Sequence, residues 1–269
     1  MAPQREDLFR SASKATQAGW IRSCAQVGVV LAVVLVCAYY VGLLDAARMS
    51  AGVGDIVGLL GEAWPPDFTN LHSWWGPLRD SLAMSVAATA LAVLLAIPVA
   101  LLGARNTSPH PAVYWVARMV LNTLRSVPEL IMAIVFVAAV GFGALPGALA
   151  LGIHSAGMVG KFFAEAIEHA HPAPIEAAEA SGATSLQVIS HGVMPQVFPQ
   201  FADVTMYRWE YNFRASTVMG MVGAGGIGTE LVGSLRLLDY PQVSAVLIVI
   251  LATVTIVDAL SNMLRKRFQ

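Results

Sequence analysis

Long apolar stretches alternate with shorter polar ones along most of the chain. A helix of about 20 apolar residues is long enough to cross the hydrocarbon core of a bilayer. Six stretches reach that length, so the pattern predicts an all-α integral membrane protein with about six transmembrane helices. The predicted spans cover residues 25–44, 82–104, 111–140, 148–168, 200–221 and 242–263.

The same pattern divides the chain into five parts. We predict an N-terminal tail, a first transmembrane helix, a polar and turn-rich external loop, a permease core of about five transmembrane helices, and a short C-terminal tail. These parts cover residues 1–24, 25–44, 45–80, 81–264 and 265–269, respectively.

The third predicted span is broken rather than straight. A helix over residues 111–140 would be about 45 Å long at 1.5 Å per residue, which exceeds the hydrocarbon thickness of about 30 Å. Because proline kinks or ends helices, we predict a bend near Pro128. The glycine- and proline-rich run from Gly141 to Gly147 predicts a turn after this span.

Residues 169–200, between the fourth and fifth spans, predict two short helices joined at a glycine elbow. Pro174 suits the first turn of a helix, and Gly182 suits the left-handed residue that ends one. Thr184 followed by Gln187 predicts a capping box that opens the second helix. The second helix is predicted to end at Pro195 and Pro199.

The distribution of basic residues orients the predicted helices. Cytoplasmic segments carry an excess of Lys and Arg, and both chain ends are basic, which predicts cytoplasmic N- and C-termini. Residues 45–80 are then external and residues 169–200 cytoplasmic. Residues 169–200 contain no Lys or Arg, which favours a protein partner over lipid head groups. The basic residues of the two ends are Arg5, Arg10, Lys14, Arg22, Arg265, Lys266 and Arg267.

Composition narrows the class of protein further. The chain is 57% hydrophobic and 12% charged, whereas soluble domains are usually about 25% charged. A net charge of −1 argues against nucleic-acid binding, which needs a basic face. Cys24 and Cys37 lie about 20 Å apart on one predicted helix, too far to bridge each other, and are interpreted as packing residues.

Three motif-like patterns do not support catalysis or nucleotide binding. The run from Gly223 to Gly228 matches G-x-G-x-x-G, but it lacks the βαβ context that a dinucleotide site requires. His169 and His171 have no clustered carboxylate or cysteine to complete a metal site. His154 with Ser155 lacks the orienting acid of a hydrolase. No P-loop occurs in the sequence. We therefore predict no catalytic residue and no metal site on this chain.

Charged residues inside predicted spans are costly and usually face protein or a cavity. One interpretation is a set of ion pairs between spans, such as Arg125 with Glu210. The other is a path for an anion, for which Arg214, one turn above Glu210, is the favoured residue because guanidinium groups suit phosphate-like oxygens. The candidates for path or ion pairs are Arg125, Glu129, Arg208, Glu210 and Arg214, with Lys161 and Asp258 as further membrane-depth charges.

The segment with Glu176-Ala177-Ala178, Gly182 and Pro195 resembles the EAA loop of type I ABC importer permeases. It departs from the general pattern at Gly192, where an apolar residue is preferred, and at Met194, where leucine is. A closer resemblance to phosphonate-type permeases lies in the strings LRSVPEL, GVMPQVFPQF and YRWEYNFRASTVMGMVGAGGIG. These strings cover much of the chain from residue 81 onward.

This resemblance implies a transport subunit in the bacterial inner membrane that is not itself an enzyme. It implies a second copy of the chain, two ATPase subunits that bind ATP and Mg²⁺, and a soluble external binding protein that delivers phosphonate, phosphate or phosphite. The implied ATPase-coupling residues are Glu176, Ala177, Ala178, Glu179, Gly182 and Ala183. The implied outer gate consists of Gly223, Gly225, Gly226 and Gly228.

Two alternatives stay open at this point. The chain could serve an importer for another small solute, since selectivity in such systems rests largely with the soluble binding protein. A secondary transporter is the other alternative, although the inverted repeats of many such proteins are not evident in the sequence.

Overall fold

The chain is helical throughout the residues that the structure describes. This computed structural model describes the backbone of residues 2–268 and the side chains of residues 19, 20 and 22–267, and no strand occurs within that range. The chain forms two compact units, residues 1–62 and 63–269.

The first unit consists of helices α1 (Ala2–Tyr40) and α2 (Ala46–Glu62). The segment Arg22–Tyr40 of α1 is long and apolar enough to cross a membrane. The helix ends at Tyr40 rather than at residue 44, because Gly42 adopts a left-handed backbone with φ +79°. The basic side chains of the N-terminal tail before residue 19, on which its predicted orientation depends, lie outside the described residues.

The predicted irregular loop at residues 45–80 is wrong over its first half, where α2 forms. The Asp45 side chain accepts hydrogen bonds from the backbone N–H groups of Ala47 and Arg48, both at 3.1 Å, and so caps the helix. The spacing of Val53, Ile56 and Leu60 suits one helical face.

The second unit is a bundle of five longer helices, one of which is bent into α4 and α5, with short helices at their ends. The long helices are α3 (Trp75–Leu102), α4 (Pro111–Ser126) with α5 (Glu129–Val140), α6 (Ala144–Glu168), α9 (Met194–Met219) and α11 (Tyr240–Phe268). The short ones are α7 (Pro172–Ala180), α8 (Ser185–Gln187) and α10 (Gly228–Arg236).

These helices differ in whether they are long and apolar enough to span a membrane. Leu71–Leu102, which includes α3, and Tyr240–Arg267 of α11 are long and apolar enough to span. α4 and α5 qualify together as one broken span with an angle of 84° between them, which confirms the predicted bend near Pro128. α6 and α9 have 25 and 26 residues but carry polar and charged side chains, so the count of six spans stays a prediction.

α6 lies at the centre of the second unit and packs against α3, α4, α5 and α9. Fully buried Ala92, Ala96 and Ala100 on α3 face this core, and small residues allow helices to approach closely. Phe163 of α6 stacks on Phe201 of α9 with ring centroids 3.8 Å apart. The core therefore fixes α6, whose last residue leads directly into the elbow.

Replacing Gly157 with alanine is expected to destabilise this core. A Cβ at Gly157 would lie 2.8 Å from the backbone oxygen of Leu121 and 2.8 Å from the backbone nitrogen of Arg125, so α4 must move away from α6. Overpacking of this kind costs about 1–3 kcal/mol, which a lower Tm of the purified protein would report. The matched control is Gly233→Ala on α10, where a Cβ has no neighbour within 4 Å; an equal loss of stability in both variants would contradict the packing account.

Candidate functional site

The loop between α6 and α9 folds into the predicted glycine elbow, called the elbow segment below (residues 172–193). α7 ends at Ala180, and Gly182 adopts φ +78°. The backbone N–H of Ala183 donates to the oxygen of Ala178 at 3.2 Å, and the N–H of Gly182 donates to the oxygen of Glu179 at 2.9 Å. These two bonds make a Schellman motif, which confirms the predicted left-handed stop.

The second arm of the elbow opens with the predicted capping box. The backbone N–H of Thr184 donates to Gln187 Oε1 at 2.8 Å. The arm does not end at the prolines, however. α8 continues through a π-helical turn, Val188–Val193, directly into α9.

The predicted helix end at Pro195 and Pro199 is therefore wrong. Pro195 lies in the first turn of α9, a position where proline is tolerated. Pro199 lies inside α9 and removes one backbone hydrogen bond without ending the helix. The elbow segment is thus continuous with a long helix of the bundle.

The implied coupling residues lie on the accessible side of the elbow segment. Ala178 and Ala183 are half-buried, and Leu186 on the second arm is 75% exposed. The exposed members of the implied set are Glu176, Ala177, Glu179 and Gly182. The elbow segment thus exposes two carboxylates and one large apolar side chain.

Gln196, which sequence reasoning missed, ties the two ends of the elbow segment together. Its Oε1 accepts from the backbone N–H of His171 at 2.9 Å, and its Nε2 donates to the oxygen of Gly192 at 2.5 Å. A Cβ at Gly192 would lie 3.3 Å from Ile175 Cα. Glycine at position 192 therefore lets α7 lie against the π-helical turn, which gives a physical reason for the departure from the family pattern.

A second set of contacts holds the end of α6, immediately before the elbow. Glu168 Oε2 pairs with Arg118 Nη2 at 2.9 Å, and Glu168 Oε1 accepts from the backbone N–H of Arg105 at 3.0 Å. Arg118 Nε also donates to the oxygen of Gly103 at 2.7 Å. One carboxylate thus joins the end of α6 to the middle of α4 and to the loop after α3, which makes a fixed base for the elbow.

Replacing Arg118 with methionine is expected to loosen this base. Glu168 would lose its ion pair while its side chain remains only 23% exposed, and hydrogen bonds to charged groups contribute about 1.5–3 kcal/mol. The control is Lys161→Met, which removes the more exposed 3.5 Å pair with Glu165 one turn away and should cost no more than about 0.5 kcal/mol. Equal changes in Tm for the two variants would contradict a special role for Glu168.

The implied gate glycines form a tightly packed segment. Gly223, Gly225 and Gly226 have φ of +84°, +75° and +82°, a region that favours glycine. A Cβ at Gly225 would lie 3.0 Å from the backbone nitrogen of Ala144, and one at Gly226 would lie 2.5 Å from Ser81 Oγ. A Cβ at Gly228 would meet the backbone oxygen of Thr217. Close packing accounts for these glycines, while their role as a gate stays a prediction.

The charges on α9 fall into two clusters, and the first joins α9 to α11. Arg214 Nη1 binds both oxygens of Asp258, at 2.9 and 3.2 Å, and Arg214 Nη2 lies 3.9 Å from Glu210 Oε2. Arg265 pairs with Glu210 at 3.0 Å and with Asp203 at 3.5 Å. The predicted contact between Glu210 and Arg214 is confirmed, and both guanidinium groups have carboxylate partners.

The second cluster brings Glu129 of α5 to the hydroxyl of Tyr211 and Arg208 of α9 to its ring. The Tyr211 hydroxyl donates to Glu129 Oε1 at 3.1 Å, and the Arg208 guanidinium lies 4.0 Å from the centre of the Tyr211 ring. Arg125 is exposed and forms no ion pair with a described residue. The suggested pair of Arg125 with Glu210 is therefore wrong, because Arg265 and Arg214 occupy Glu210.

Comparisons with known proteins agree with this architecture. Residues 89–269 match the family described as "Binding-protein-dependent transport system inner membrane component". The chain is 63% identical over 268 residues to the phosphite transport system permease protein PtxC of Stutzerimonas stutzeri, covering 100% of this chain and 96% of that one. It is 40% identical over 232 residues to the phosphate-import permease protein PhnE of Mycolicibacterium smegmatis, covering 86% of this chain and 43% of that one.

A solved structure supports the fold. The structure of an inward-facing MetNI methionine ABC transporter superposes with a TM-score of 0.64 at 19% identity, covering 73% of this chain and 96% of that chain. The chain belongs to the family of binding-protein-dependent transport system inner membrane components, which are multi-pass permease subunits of ABC importers. It is a transport subunit rather than an enzyme, and its class implies ATPase and substrate-binding protein partners.

Proposed function

We propose that this chain carries a phosphorus oxyanion, in the first instance phosphite, across the bacterial inner membrane. Its similarity over the whole chain to a phosphite permease carries this proposal, since the similarity extends through every helix of both units. Phosphate and phosphonate share the tetrahedral oxyanion chemistry and complete the proposed substrate class.

In this proposal two copies of the chain form the path, and one ATPase subunit docks on the elbow segment of each copy. ATP and Mg²⁺ bind the ATPase subunits, and a soluble binding protein delivers the anion at the opposite face. Both termini and the elbow segment then lie in the cytoplasm, and the glycine segment 223–228 lies at the outer end of the path as part of the gate.

Uptake of labelled oxyanions by cells lacking this chain tests the proposal. Phosphite uptake is expected to be lost and to return when the wild-type chain is expressed. Binding of phosphite, phosphate and a phosphonate to the cognate soluble receptor ranks the three substrates. Unchanged uptake of all three anions in the deletion strain would contradict the proposal, and loss of a different solute would indicate an importer for that solute.

A further inference from the structure

Arg208 is a buried cation that forms no ion pair with a described residue. It is 3% exposed, and no carboxylate of the described chain lies within ion-pair distance of it. Its Nη2 is buried and has no hydrogen-bond partner in the same part of the chain. Burying an unpaired charge costs several kcal/mol. Packing alone does not explain why an arginine occupies this position.

A directed chain of hydrogen bonds holds the other side of this guanidinium. Arg208 Nε donates to Ser155 Oγ at 2.9 Å, and Ser155 Oγ donates to Asn212 Oδ1 at 2.8 Å. Asn212 Nδ2 donates to Thr89 Oγ1 at 2.9 Å, and Thr89 donates to the backbone oxygen of Ser85 at 2.7 Å. Each side chain donates to the next until a backbone carbonyl accepts the last hydrogen bond. The chain fixes Arg208 by Nε and leaves donors at the Nη2 end.

Glu129, which accepts the Tyr211 hydroxyl, carries an acceptor without a donor. Glu129 Oε1 accepts from the Tyr211 hydroxyl, but Glu129 Oε2 is buried and has no hydrogen-bond partner in the described chain. His154 Nε2 is 3.8 Å from this oxygen, beyond hydrogen-bond distance, and His154 Nδ1 donates to the oxygen of Val127 at 3.1 Å. Tyr211 thus contacts both Arg208, which has an unused donor, and Glu129, which has an unused acceptor.

We propose that Arg208, Tyr211 and Glu129 form a site for a phosphorus oxyanion that carries one proton. A P–O⁻ oxygen accepts from Arg208 Nη2, and the P–OH group donates to Glu129 Oε2. The anion enters on the side of Glu129 and His154, whose side chains are 21% and 12% exposed, and the Tyr211 ring turns away from the guanidinium to admit it. The site rests on the proposed function. It adds to that function the protonation state of the substrate.

In this proposal the Glu129 carboxylate distinguishes anions that carry a proton from anions that do not. A phosphate group has a second pKa near 6, so near neutral pH a fraction of such anions retains a P–OH donor. Sulfate retains no such proton at neutral pH, and Glu129 would repel it. The titratable and charged groups that face Glu129 are Tyr211 and Arg208 from α9 and His154 from α6. The proton of the ligand therefore decides whether the site as a whole attracts or rejects the anion.

Protection of an engineered cysteine tests the site in the assembled permease–ATPase complex. Cys24 and Cys37 are replaced with serine, and Tyr207→Cys places a thiol one turn before Tyr211 at a position that is 51% exposed. Phosphite is expected to slow maleimide labelling several-fold, and sulfate at equal ionic strength is expected to leave the rate unchanged. Protection should weaken as the pH rises from about 6 to about 8, because the ligand loses its proton.

Variants test whether the Glu129 carboxylate, rather than the fold as a whole, gives the discrimination between phosphite and sulfate. Glu129→Gln should lose the discrimination between phosphite and sulfate, and Tyr211→Phe, which removes one hydroxyl, should weaken protection by phosphite. Glu165→Gln, the same change at a carboxylate paired with Lys161, should keep the wild-type pattern. Equal protection by sulfate in the wild-type background, or full discrimination in Glu129→Gln, would overturn the site.

Uptake is measured separately: ATP-driven phosphite uptake without selective protection refutes the site alone, and selective protection without uptake refutes the proposed function alone.

Discussion

Replacing Gly182 with valine is expected to lower ATP-driven uptake about tenfold while the chain remains folded in the membrane. Gly182 has φ +78° and no neighbour within 4 Å of a Cβ, so the defect comes from backbone strain rather than from a clash. A left-handed residue other than glycine costs about 1–2 kcal/mol, and a β-branched one is a genuine outlier. A cost near 1.4 kcal/mol lowers the population of the docking-competent elbow about tenfold.

Gly182→Asn is the matched control for this prediction. Asparagine is one of the few residues that adopt the left-handed conformation readily, so it should keep the Schellman motif and most of the uptake. Uptake is measured per assembled complex, together with the amount of ATPase that co-purifies with the chain. Full uptake in the valine variant, or equal loss in both variants, would contradict the role of the left-handed elbow.

Replacing Arg214 with leucine is expected to lower the amount of folded chain rather than the transport rate of each complex. The change leaves Asp258 without its partner at 2.9 Å and removes one of the two cations beside Glu210. Unpaired charges within a membrane bundle are costly. A loss of about 1–2 kcal/mol reduces the ratio of folded to unfolded chain about 5- to 30-fold.

The double variant Arg214→Leu with Asp258→Leu distinguishes an ion pair from an anion path. Removing both charges leaves neither residue as an unpaired charge, and apolar replacement of an ion pair is often neutral or stabilising. The folded amount should therefore recover, and the two single effects should not add. Because Arg214 is held by carboxylates, we expect wild-type uptake per assembled complex. A double variant that is folded but inactive would instead place Arg214 in the path.

Local chemistry made parts of this structure predictable. Gly182 and the Thr184–Gln187 box act within one turn of the backbone, so their roles follow from residue type and spacing. The bend near Pro128 is predictable for the same reason, since proline restricts the preceding residue and removes one donor. The two wrong helix ends at Pro195 and Pro199 show the limit of such rules, because the π-helical turn before α9 places the first proline where it is tolerated.

Tertiary contacts made the rest unpredictable. Arg214 and Arg208 have the same type of side chain and lie on the same predicted span, and the sequence favoured Arg214 for the path. Only the fold shows that Asp258, on a helix 44 residues away in the chain, neutralises Arg214, whereas Arg208 faces hydroxyls and an aromatic ring. Gln196 was missed because its partners, His171 and Gly192, belong to a loop whose closure is not encoded in any short motif.

The proposed role of this chain, as the ATP-coupled membrane subunit of an importer for phosphorus oxyanions, is tested most directly by reconstitution. Phosphite accumulation is measured in proteoliposomes that contain the chain, its ATPase and its soluble binding protein, with ATP or an ion gradient supplied separately. We expect accumulation with ATP in the absence of any gradient, none with a gradient alone, and about tenfold less with Gly182→Val. Accumulation driven by a gradient without ATP would contradict the proposed role.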